Sequence, residues 1–317
     1  MIRKKKVTIE IPHRLTGFFE IVDMINGQRI QNPELIGSRG AGLSLSAMGR
    51  TTIALQRESG LDESVCTIFI NGVQLDERAE TTSYIFNYLK PQINPPLKVQ
   101  IRHNFELPVG CGYGASGSGA LGAVYGLNKA LKLELSSFEC GRIAHIAEVI
   151  NKTGLGTICG LLGSGLCVLK EGGYPCVYEK IPVPPNLKVI CTTFGDIHTK
   201  SVLSDRELNL KIKQIGADVL QKFIKNPHIG TFLKYSIEFT EKTEILDILN
   251  LNTTKELINE LNSQKIIGAS MNQLGRSVFA VCKQKQVAKI VKIFKTYQSD
   301  NNIHILQIYE NGALLSA

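Results

Sequence analysis

The chain has 317 residues, of which 43% are hydrophobic and 20% are charged, and its formal net charge is +8. This composition can bury a core in one large domain or two smaller ones, and it excludes an intrinsically disordered chain. No apolar run reaches the ~20 residues that a membrane-spanning helix needs, so we expect no membrane segment. The basic residues are spread along the chain and there is no Trp, so we also expect no nucleic-acid-binding surface.

The first hundred residues contain mostly strand patterns. Val7–Ile11 alternates apolar and polar residues after a Lys-rich start, which fits an edge strand better than the apolar segment of a signal peptide. We therefore expect a cytoplasmic, unprocessed protein. The same criteria predict strands at Thr51–Leu55, Cys66–Ile70 and Leu97–Ile101 and a helix at Thr82–Leu89.

The middle of the chain has two glycine-rich stretches, Gly110–Gly122 and Gly154–Gly173, with predicted helices at about Gly119–Leu131 and Phe138–Lys152 between them. The proline cluster at 181–186 is the best candidate boundary and predicts domains 1–182 and 187–317. The second half is predicted to contain a strand at Lys188–Thr193, helices between Asp205 and Gln264, and strands Ser277–Val281 and Ile303–Tyr309 around a helix at Lys285–Gln298. This order predicts an α+β fold.

The eight cysteines include no Cys-x-x-Cys pair, so the close ligand spacing of a zinc site is missing. We expect no disulfide framework, because no secretory signal is recognised. Cys159, Cys167 and Cys191 lie in apolar or glycine-rich stretches and are interpreted as small buried side chains.

Residues 108–122 read Pro-Val-Gly-Cys-Gly-Tyr-Gly-Ala-Ser-Gly-Ser-Gly-Ala-Leu-Gly, after a predicted strand and leading into a predicted helix. Glycines allow a ligand to approach the backbone closely, and the free N–H groups at a helix start attract phosphate. Ser116 and Ser118 add hydroxyls suited to phosphate or Mg²⁺. The segment is neither a Walker A motif nor a dinucleotide fingerprint. From the glycines alone, a phosphate loop and a tight packing turn are equally open.

The pattern of this loop resembles the phosphate-binding loop of the GHMP kinases, in the form found in the archaeal pantoate kinase-like group. Further segments resemble that family in the same order: Pro12–Phe19, Gly37–Gly42, Ala144–Glu148, Thr153–Gly156, His198–Leu203 and Ala269–Ala280. The resemblance implies a two-domain α+β fold, with an N-terminal ribosomal-protein-like βαβ domain and a C-terminal ferredoxin-like domain. It also implies an ATP- and Mg²⁺-dependent phosphotransferase that acts on an alcohol group.

The resemblance assigns roles to residues of this chain. ATP would be bound by Pro108, Gly110, Gly112, Gly114, Ser116, Gly117, Ser118 and Gly119. Ser116 and Glu148 would hold Mg²⁺, an ion that prefers oxygen ligands. The substrate would be contacted by Arg14, Ser38, Arg39, His145 and Thr199. Without the resemblance, His145 and Glu148 would be interpreted as a solvated pair on one helix face.

One departure from the family concerns proton transfer. The family has an aspartate after Gly-Leu-Gly, where this chain has Thr157. A threonine cannot act as a general base at neutral pH, but it can orient a hydroxyl. Because the transition state of phosphoryl transfer is loose, a missing base need not abolish activity. The proton acceptor is left open among the γ-phosphate, Asp196 and Asp23.

A second departure concerns the substrate. Two family arginines are replaced by Ala47 and Leu169, the latter followed by Lys170, whereas Arg14, Arg39 and Arg50 are additional. Arginine suits bidentate binding of carboxylate or phosphate, so the sequence favours an acid with more negative charge. The first expectation is a mevalonate 3-phosphate 5-kinase of the isoprenoid (mevalonate) pathway. The alternatives are a pantoate kinase of coenzyme A biosynthesis and an inactive nucleotide-binding regulator. A homodimer is compatible with each.

Overall fold

The computed structural model describes residues 5–197 and 205–311. Its longest strands are β1 (Lys5–Val22) and β4 (Gly37–Gln56), which pair antiparallel along their whole length, with register shifts between Pro12 and His13 and between Thr16 and Phe18. A short hairpin of β2 (Met24–Ile25) and β3 (Gln28–Arg29) connects them. Both family-like segments before residue 45 therefore lie side by side in one strand pair.

The first sheet is completed by five further strands: β5 (Val65–Ile70), β6 (Val73–Gln74), β7 (Lys98–Phe105), β8 (Leu166–Leu169) and β9 (Tyr178–Ile181). The strand order is β6-β5-β7-β4-β8-β9, with β1 paired to β4 off this path. β5 and β7 are parallel and the other pairs are antiparallel. β7 pairs with the second half of β4 and β8 with its first half, so β4 is covered along most of its length.

Four helices accompany this sheet: α1 (Glu80–Leu89), α2 (Ala115–Leu131), α3 (Ser137–Asn151) and α4 (Thr157–Gly163). α2 packs on β1 and β4, where a Cβ on Gly122 would lie 2.3 Å from Thr51 Oγ1. α3 begins with a capping box in which Ser136 and Glu139 bond each other's backbone N–H groups. Because α2 and α3 are buried along much of their length, their termini are held rigidly above the first sheet.

The second sheet has the order β11-β12-β10-β13 and is antiparallel throughout. Its strands are β10 (Leu187–Thr193), β11 (Gly268–Asn272), β12 (Ser277–Lys283) and β13 (His304–Leu306). The helices of this half are α5 (Arg206–Phe223), α6 (Ile229–Lys242), α7 (Ile245–Ile248), α8 (Asn252–Asn262) and α9 (Val287–Tyr297). Short 3₁₀ turns lie at Asp76–Arg78, Lys90–Gln92, Gln284–Gln286 and Asp300–Asn302.

The two halves share a hydrophobic cluster. Phe18 on β1 contacts Phe223 of α5, with ring centroids 5.4 Å apart, and Phe19 contacts Phe239 of α6 at 5.8 Å. A second cluster lies between α1, α2, α3 and the first sheet. Ile181 ends the last strand of one sheet and Leu187 begins the other, but the division into domains 1–182 and 187–317 stays a prediction.

The α+β class expected from the sequence is confirmed, and each predicted strand overlaps an observed one. β8, β9 and β11 were not predicted, because short strands within glycine-rich or polar segments lack a period-2 pattern. The expectation of no disulfide was wrong, since Cys159 is bonded to Cys176. The loop after β8 folds back onto α4 and brings these two cysteines together, whereas Cys167 and Cys191 are free and buried. In the described ranges no helix is long and apolar enough to cross a membrane.

Candidate active site

A cavity of about 720 Å³ opens at the N-terminal end of α2. One side, here called the loop wall, consists of residues 110–116 and 152–157. The opposite side, here called the sheet wall, consists of residues 38–41 on β4 and Leu169 on β8. Thr16 on β1 and Gln273 after β11 also line the cavity, so both sheets contribute to it.

The loop wall has a backbone that requires glycine. Gly110, Gly112 and Gly114 have φ angles of +79°, +84° and +66°, in the left-handed region that other residues rarely adopt. A Cβ on Gly112 would also lie 3.0 Å from the carbonyl oxygen of Gln273. Gly114 is the N-cap of α2 and supplies no side-chain hydrogen bond, so the helix start presents free N–H groups and a partial positive charge to the cavity. Such a start is an anion-binding site.

The predicted ATP-binding residues divide into two groups. Gly110, Gly112, Gly114 and Ser116 line the cavity, whereas Pro108, Gly117, Ser118 and Gly119 do not. Ser118 is 1% exposed and its hydroxyl donates to the carbonyl oxygen of Ile11 at 3.1 Å. Its side chain therefore holds α2 on β1 and does not reach a ligand, because it follows Ser116 by two residues and points to another side of the helix.

Glu148 lies directly behind the loop wall and is 1% exposed. Its Oε1 accepts a hydrogen bond from Thr153 Oγ1 at 2.9 Å, and its Oε2 has no hydrogen-bond partner among the described residues. Burial raises the pKa of this carboxyl, and the facing hydroxyls of Ser116, Thr153 and Thr157 oppose the rise. A buried carboxylate with an unused oxygen, surrounded by hydroxyls, is suited to bind a cation.

Gly154 and Thr157 connect Glu148 to the cavity. A Cβ on Gly154 would lie 2.2 Å from Glu148 Oε2 and 2.8 Å from Thr157 Oγ1, so both oxygens border the space left by this glycine. Thr157 is the first residue of α4 and lines the cavity, as does Ser116. All three predicted catalytic residues, Ser116, Glu148 and Thr157, are therefore brought together.

Glu148 and its hydroxyl neighbours are the oxygen donors that this part of the loop wall offers to a metal ion, and Glu80 is a further carboxylate in the cavity lining. No group of three or more His, Cys, Asp or Glu side chains that could hold a metal ion occurs in residues 5–197 and 205–311. This donor set does not form a complete protein cage. It fits an ion such as Mg²⁺, which usually keeps one or two carboxylates, waters and substrate phosphates as ligands.

The sheet wall contains Ser38, Arg39 and Leu169. Ser38 is 9% exposed and Leu169 is 5% exposed. The other residues of the sheet wall are Gly40 and Ala41, so Arg39 carries its one charged side chain. The Arg39 side chain is 37% exposed and forms an ion pair with Glu20, its cross-strand partner on β1. Lys170, which follows Leu169, pairs with Glu179 on β9 and does not line the cavity.

Arg14 differs from its predicted role in substrate binding. Its Nη1 donates to the carbonyl oxygen of Gly160 at 3.0 Å and its Nη2 donates to that of Cys167 at 3.3 Å. The residue is 4% exposed, and burial lowers the pKa of the guanidinium. Although Arg14 borders the cavity, its guanidinium is used to join α4 to β8, and glycines at 42 and 160 make room for it. These contacts give Arg14 a structural part, and its contact with substrate stays a prediction.

None of the other described residues proposed for substrate binding or proton transfer lines the cavity. His145 is 1% exposed, its Nε2 is 3.0 Å from the carbonyl oxygen of Ile36, and it does not line the cavity. Burial lowers the pKa of its imidazole.

Arg50 pairs on the surface with Glu10 and Glu106. Asp23 pairs with Lys213 and does not line the cavity. Asp196 lies beside Gly110. Thr199 lies outside the described residues.

Several cavity residues were not predicted from the sequence. They are Thr16, Arg78, Lys152, Gln273 and Leu274. Lys152 could have been inferred from its position, because it caps the C-terminus of α3 directly before the turn that contains Gly154. Gln273 and Leu274 follow β11, which pairs only with the second sheet, so no local pattern indicated that they approach Gly112.

The N-terminal half matches the model of the family described as GHMP kinases N terminal domain over residues 80–162. The chain is 30% identical to the pantoate kinase of Thermococcus kodakarensis over 308 residues, with 94% of each chain covered, and 29% identical to that of Methanocaldococcus jannaschii over 284 residues, with 90% and 96% covered. A solved structure described as a phosphotransferase related to the CoA biosynthesis pathway superposes with a TM-score of 0.80 at 26% identity, covering 97% of both chains. These similarities extend over both halves of the chain. The chain is therefore a phosphotransferase of the GHMP kinase family, in its pantoate kinase-like group.

Proposed function

We propose that this chain transfers the γ-phosphate of ATP to the primary alcohol of pantoate. The observation that carries this proposal is the identity of 29% and 30% to two pantoate kinases, over 90% and 94% of the chain. The charges of the sheet wall favour the same substrate. Of the three arginines that suggested a more highly charged acid, Arg14 binds main-chain carbonyls and Arg50 lies in a surface ion pair, so Arg39 alone remains for an anionic substrate.

The loop wall would bind the phosphates of ATP. The N–H groups at the start of α2 and the Ser116 hydroxyl face the cavity, and they complement the negative charge that spreads over the transferred phosphoryl group. Glu148 Oε2 and Ser116 Oγ are the protein oxygens that would hold Mg²⁺. The bound ion would supply charge neutralisation between the β- and γ-phosphates.

The sheet wall would hold the acid. In this arrangement the carboxylate of pantoate lies against Arg39 and Ser38, and its alcohol lies near Thr157 at the start of α4. Thr157 Oγ1 orients the alcohol by a hydrogen bond but does not remove its proton. The bond from the alcohol oxygen to the γ-phosphorus forms while the bond from phosphorus to the bridging oxygen of ADP breaks, and the proton passes to the transferred phosphate.

Steady-state ADP release with Mg²⁺ and ATP would test this proposal, comparing pantoate, mevalonate and mevalonate 3-phosphate. We expect turnover with pantoate, and phosphorus NMR should identify a phosphomonoester on its primary alcohol. The Glu148→Gln protein, purified in the same way, is the matched control for contaminating kinases. Turnover only with mevalonate 3-phosphate would replace the proposed substrate. No turnover with any of the three, together with ATP binding, would indicate a nucleotide-binding regulator.

A further inference from the structure

Glu20 is an acidic residue beside the cavity that the proposed reaction does not use. It lies on β1 directly opposite Arg39 on β4. Arg39 Nε donates to Glu20 Oε2 at 2.6 Å, and Arg39 Nη2 donates to Glu20 Oε1 at 3.2 Å. Two parallel bonds of this kind fix the plane of a guanidinium as well as its position.

Arg39 keeps part of its binding capacity in this pair. A guanidinium has five N–H groups, and the two bonds to Glu20 use one on Nε and one on Nη2. The remaining N–H groups lie on Nη1 and on the outer side of Nη2. Arg39 lines the cavity, whereas Glu20 does not and its side chain is 15% exposed. The free end of the guanidinium is therefore the part available to a ligand.

The pair also sets the charge of the sheet wall. Glu20 and Arg39 together carry no net charge, so one bound carboxylate adds a single negative charge there. A second negative group on the ligand would meet the Glu20 carboxylate without a further cation on the sheet wall, because Arg39 is the one cationic residue among residues 38–41 and Leu169. Arg14 on β1 is 4% exposed, and its Nη1 and Nη2 each already donate to a main-chain carbonyl. The remaining cationic residues of the cavity lining, Arg78 and Lys152, lie on other elements than the sheet wall.

We propose that Glu20 is a positioning residue that aims the free end of Arg39 at the substrate carboxylate and restricts this site to acids with one negative charge. The identity of the acid rests on the proposed function, but the charge restriction does not. Glu20 acts in substrate binding through Arg39 and makes no contact with the reacting atoms. Its removal should therefore change KM for the acid much more than kcat.

The test compares Glu20→Gln with a control on the same two strands. Glu10 and Arg50 form an equivalent cross-strand pair on β1 and β4, with Arg50 Nε 2.5 Å from Glu10 Oε1, and neither lines the cavity. Glu10→Gln therefore reproduces the loss of a carboxylate from this strand pair without touching the site. KM and kcat are measured for wild type and both variants with pantoate and with mevalonate 3-phosphate, and folding is checked by thermal unfolding.

For Glu20→Gln we expect KM for pantoate to rise about tenfold with kcat nearly unchanged, since a loosened guanidinium binds the carboxylate less well. The kcat/KM ratio of mevalonate 3-phosphate to pantoate should also rise about tenfold, since one repelling charge is gone. Glu20→Asp, which keeps the charge, should retain the wild-type ratio. Glu10→Gln should leave all values unchanged. Equal values in wild type and Glu20→Gln, or equal effects of Glu20→Gln and Glu10→Gln, would overturn the inference.

The same measurements separate this inference from the proposed function. If wild type uses another monocarboxylic hydroxy acid instead of pantoate, the proposed function fails, and the Glu20 comparison is made with that acid. If wild type uses pantoate but Glu20→Gln shows neither change, the inference alone fails. A wild-type preference for mevalonate 3-phosphate would overturn both.

Discussion

The two walls of the cavity differ in how they present binding groups. The loop wall offers groups that have no partner among the described residues, namely the N–H groups at the start of α2 and Oε2 of the buried Glu148. The sheet wall offers a charged group that already has a partner, since Arg39 is paired with Glu20. A phosphate site made from backbone is encoded by local glycine spacing, whereas a carboxylate site made from side chains depends on which strands meet.

The largest effect is expected at the loop wall, for Glu148→Gln. Glutamine keeps the shape of the side chain but removes the negative charge and the anionic Oε2, so kcat should fall by about 10²–10³-fold, as for the loss of one preorganised electrostatic group. Steady-state kinetics at saturating ATP and acid would measure the change. A kcat within threefold of wild type would show that the reaction does not use the unpaired Oε2 of Glu148. The contrast drawn between the two walls would then fail.

The same variant should have a pH-dependent stability. Burial raises the pKa of Glu148 in the folded protein above its ordinary value of 4.5, so the ionised form is favoured in the unfolded chain. The carboxyl therefore destabilises the fold progressively as the pH rises above about 4.5 and has no such effect below it. The free energy of unfolding can be measured by denaturant titration without ligands. The value for Glu148→Gln minus the value for wild type should increase from pH 4 to pH 7. A constant difference would contradict the raised pKa.

The loop wall could largely be predicted from the sequence. Gly110, Gly112 and Gly114 adopt the conformations that only glycine takes readily, and Ser116 and Glu148 lie on helices whose spacing the sequence sets. Long elements with strong periodicity were also located well. The full extent of β1 and β4 was not, because the second half of β1 and the first half of β4 are mostly buried on both faces, which removes the alternation that marks a strand. The first half of β4 is also glycine-rich.

The sheet wall could be predicted only in part. The resemblance indicated Ser38 and Arg39, but the partners of the side chains around them depend on tertiary contacts. Arg14 was expected at the substrate, but the carbonyl oxygens of Gly160 and Cys167 are the partners that the fold brings to it. His145 is three residues from Glu148, yet it packs against Tyr174 and the carbonyl of Ile36. Residues with the right chemistry at plausible spacing were thus used for structure. Of the described residues predicted to contact substrate, Arg14, Ser38 and Arg39 line the cavity, but the Arg14 guanidinium binds main-chain carbonyls.

A smaller effect is expected from two serines that the glycine-rich pattern does not distinguish. Ser116→Ala removes a hydroxyl that lines the cavity, so kcat/KM for ATP should fall roughly 10–100-fold, as for one hydrogen bond to a charged group. Ser118→Ala removes the bond to Ile11 and should instead lower the free energy of unfolding by about 1 kcal/mol. Kinetics and denaturant unfolding of both variants would check this. Similar kinetic losses in the two would mean that the loop binds ligand along both sides.

The smallest expected effect concerns the glycine backbone itself. Gly112 in the loop wall and Gly72 in the β5–β6 hairpin have φ angles of +84° and +85°. A Cβ on Gly112 would contact Gln273, whereas a Cβ on Gly72 would have no described atom within 4 Å. Alanine at Gly72 should lower the free energy of unfolding by about 1–2 kcal/mol, the cost of a left-handed conformation. Alanine at Gly112 should lower it by at least this amount, because its Cβ would also lie 3.0 Å from the carbonyl oxygen of Gln273. Only Gly112→Ala should also raise KM for ATP, by about fivefold if the strain must be restored when the phosphates bind. An unchanged KM for ATP would mean that the turn at Gly112 can relax without moving the start of α2. The affinity for ATP would then depend on the N–H groups of α2 rather than on this turn.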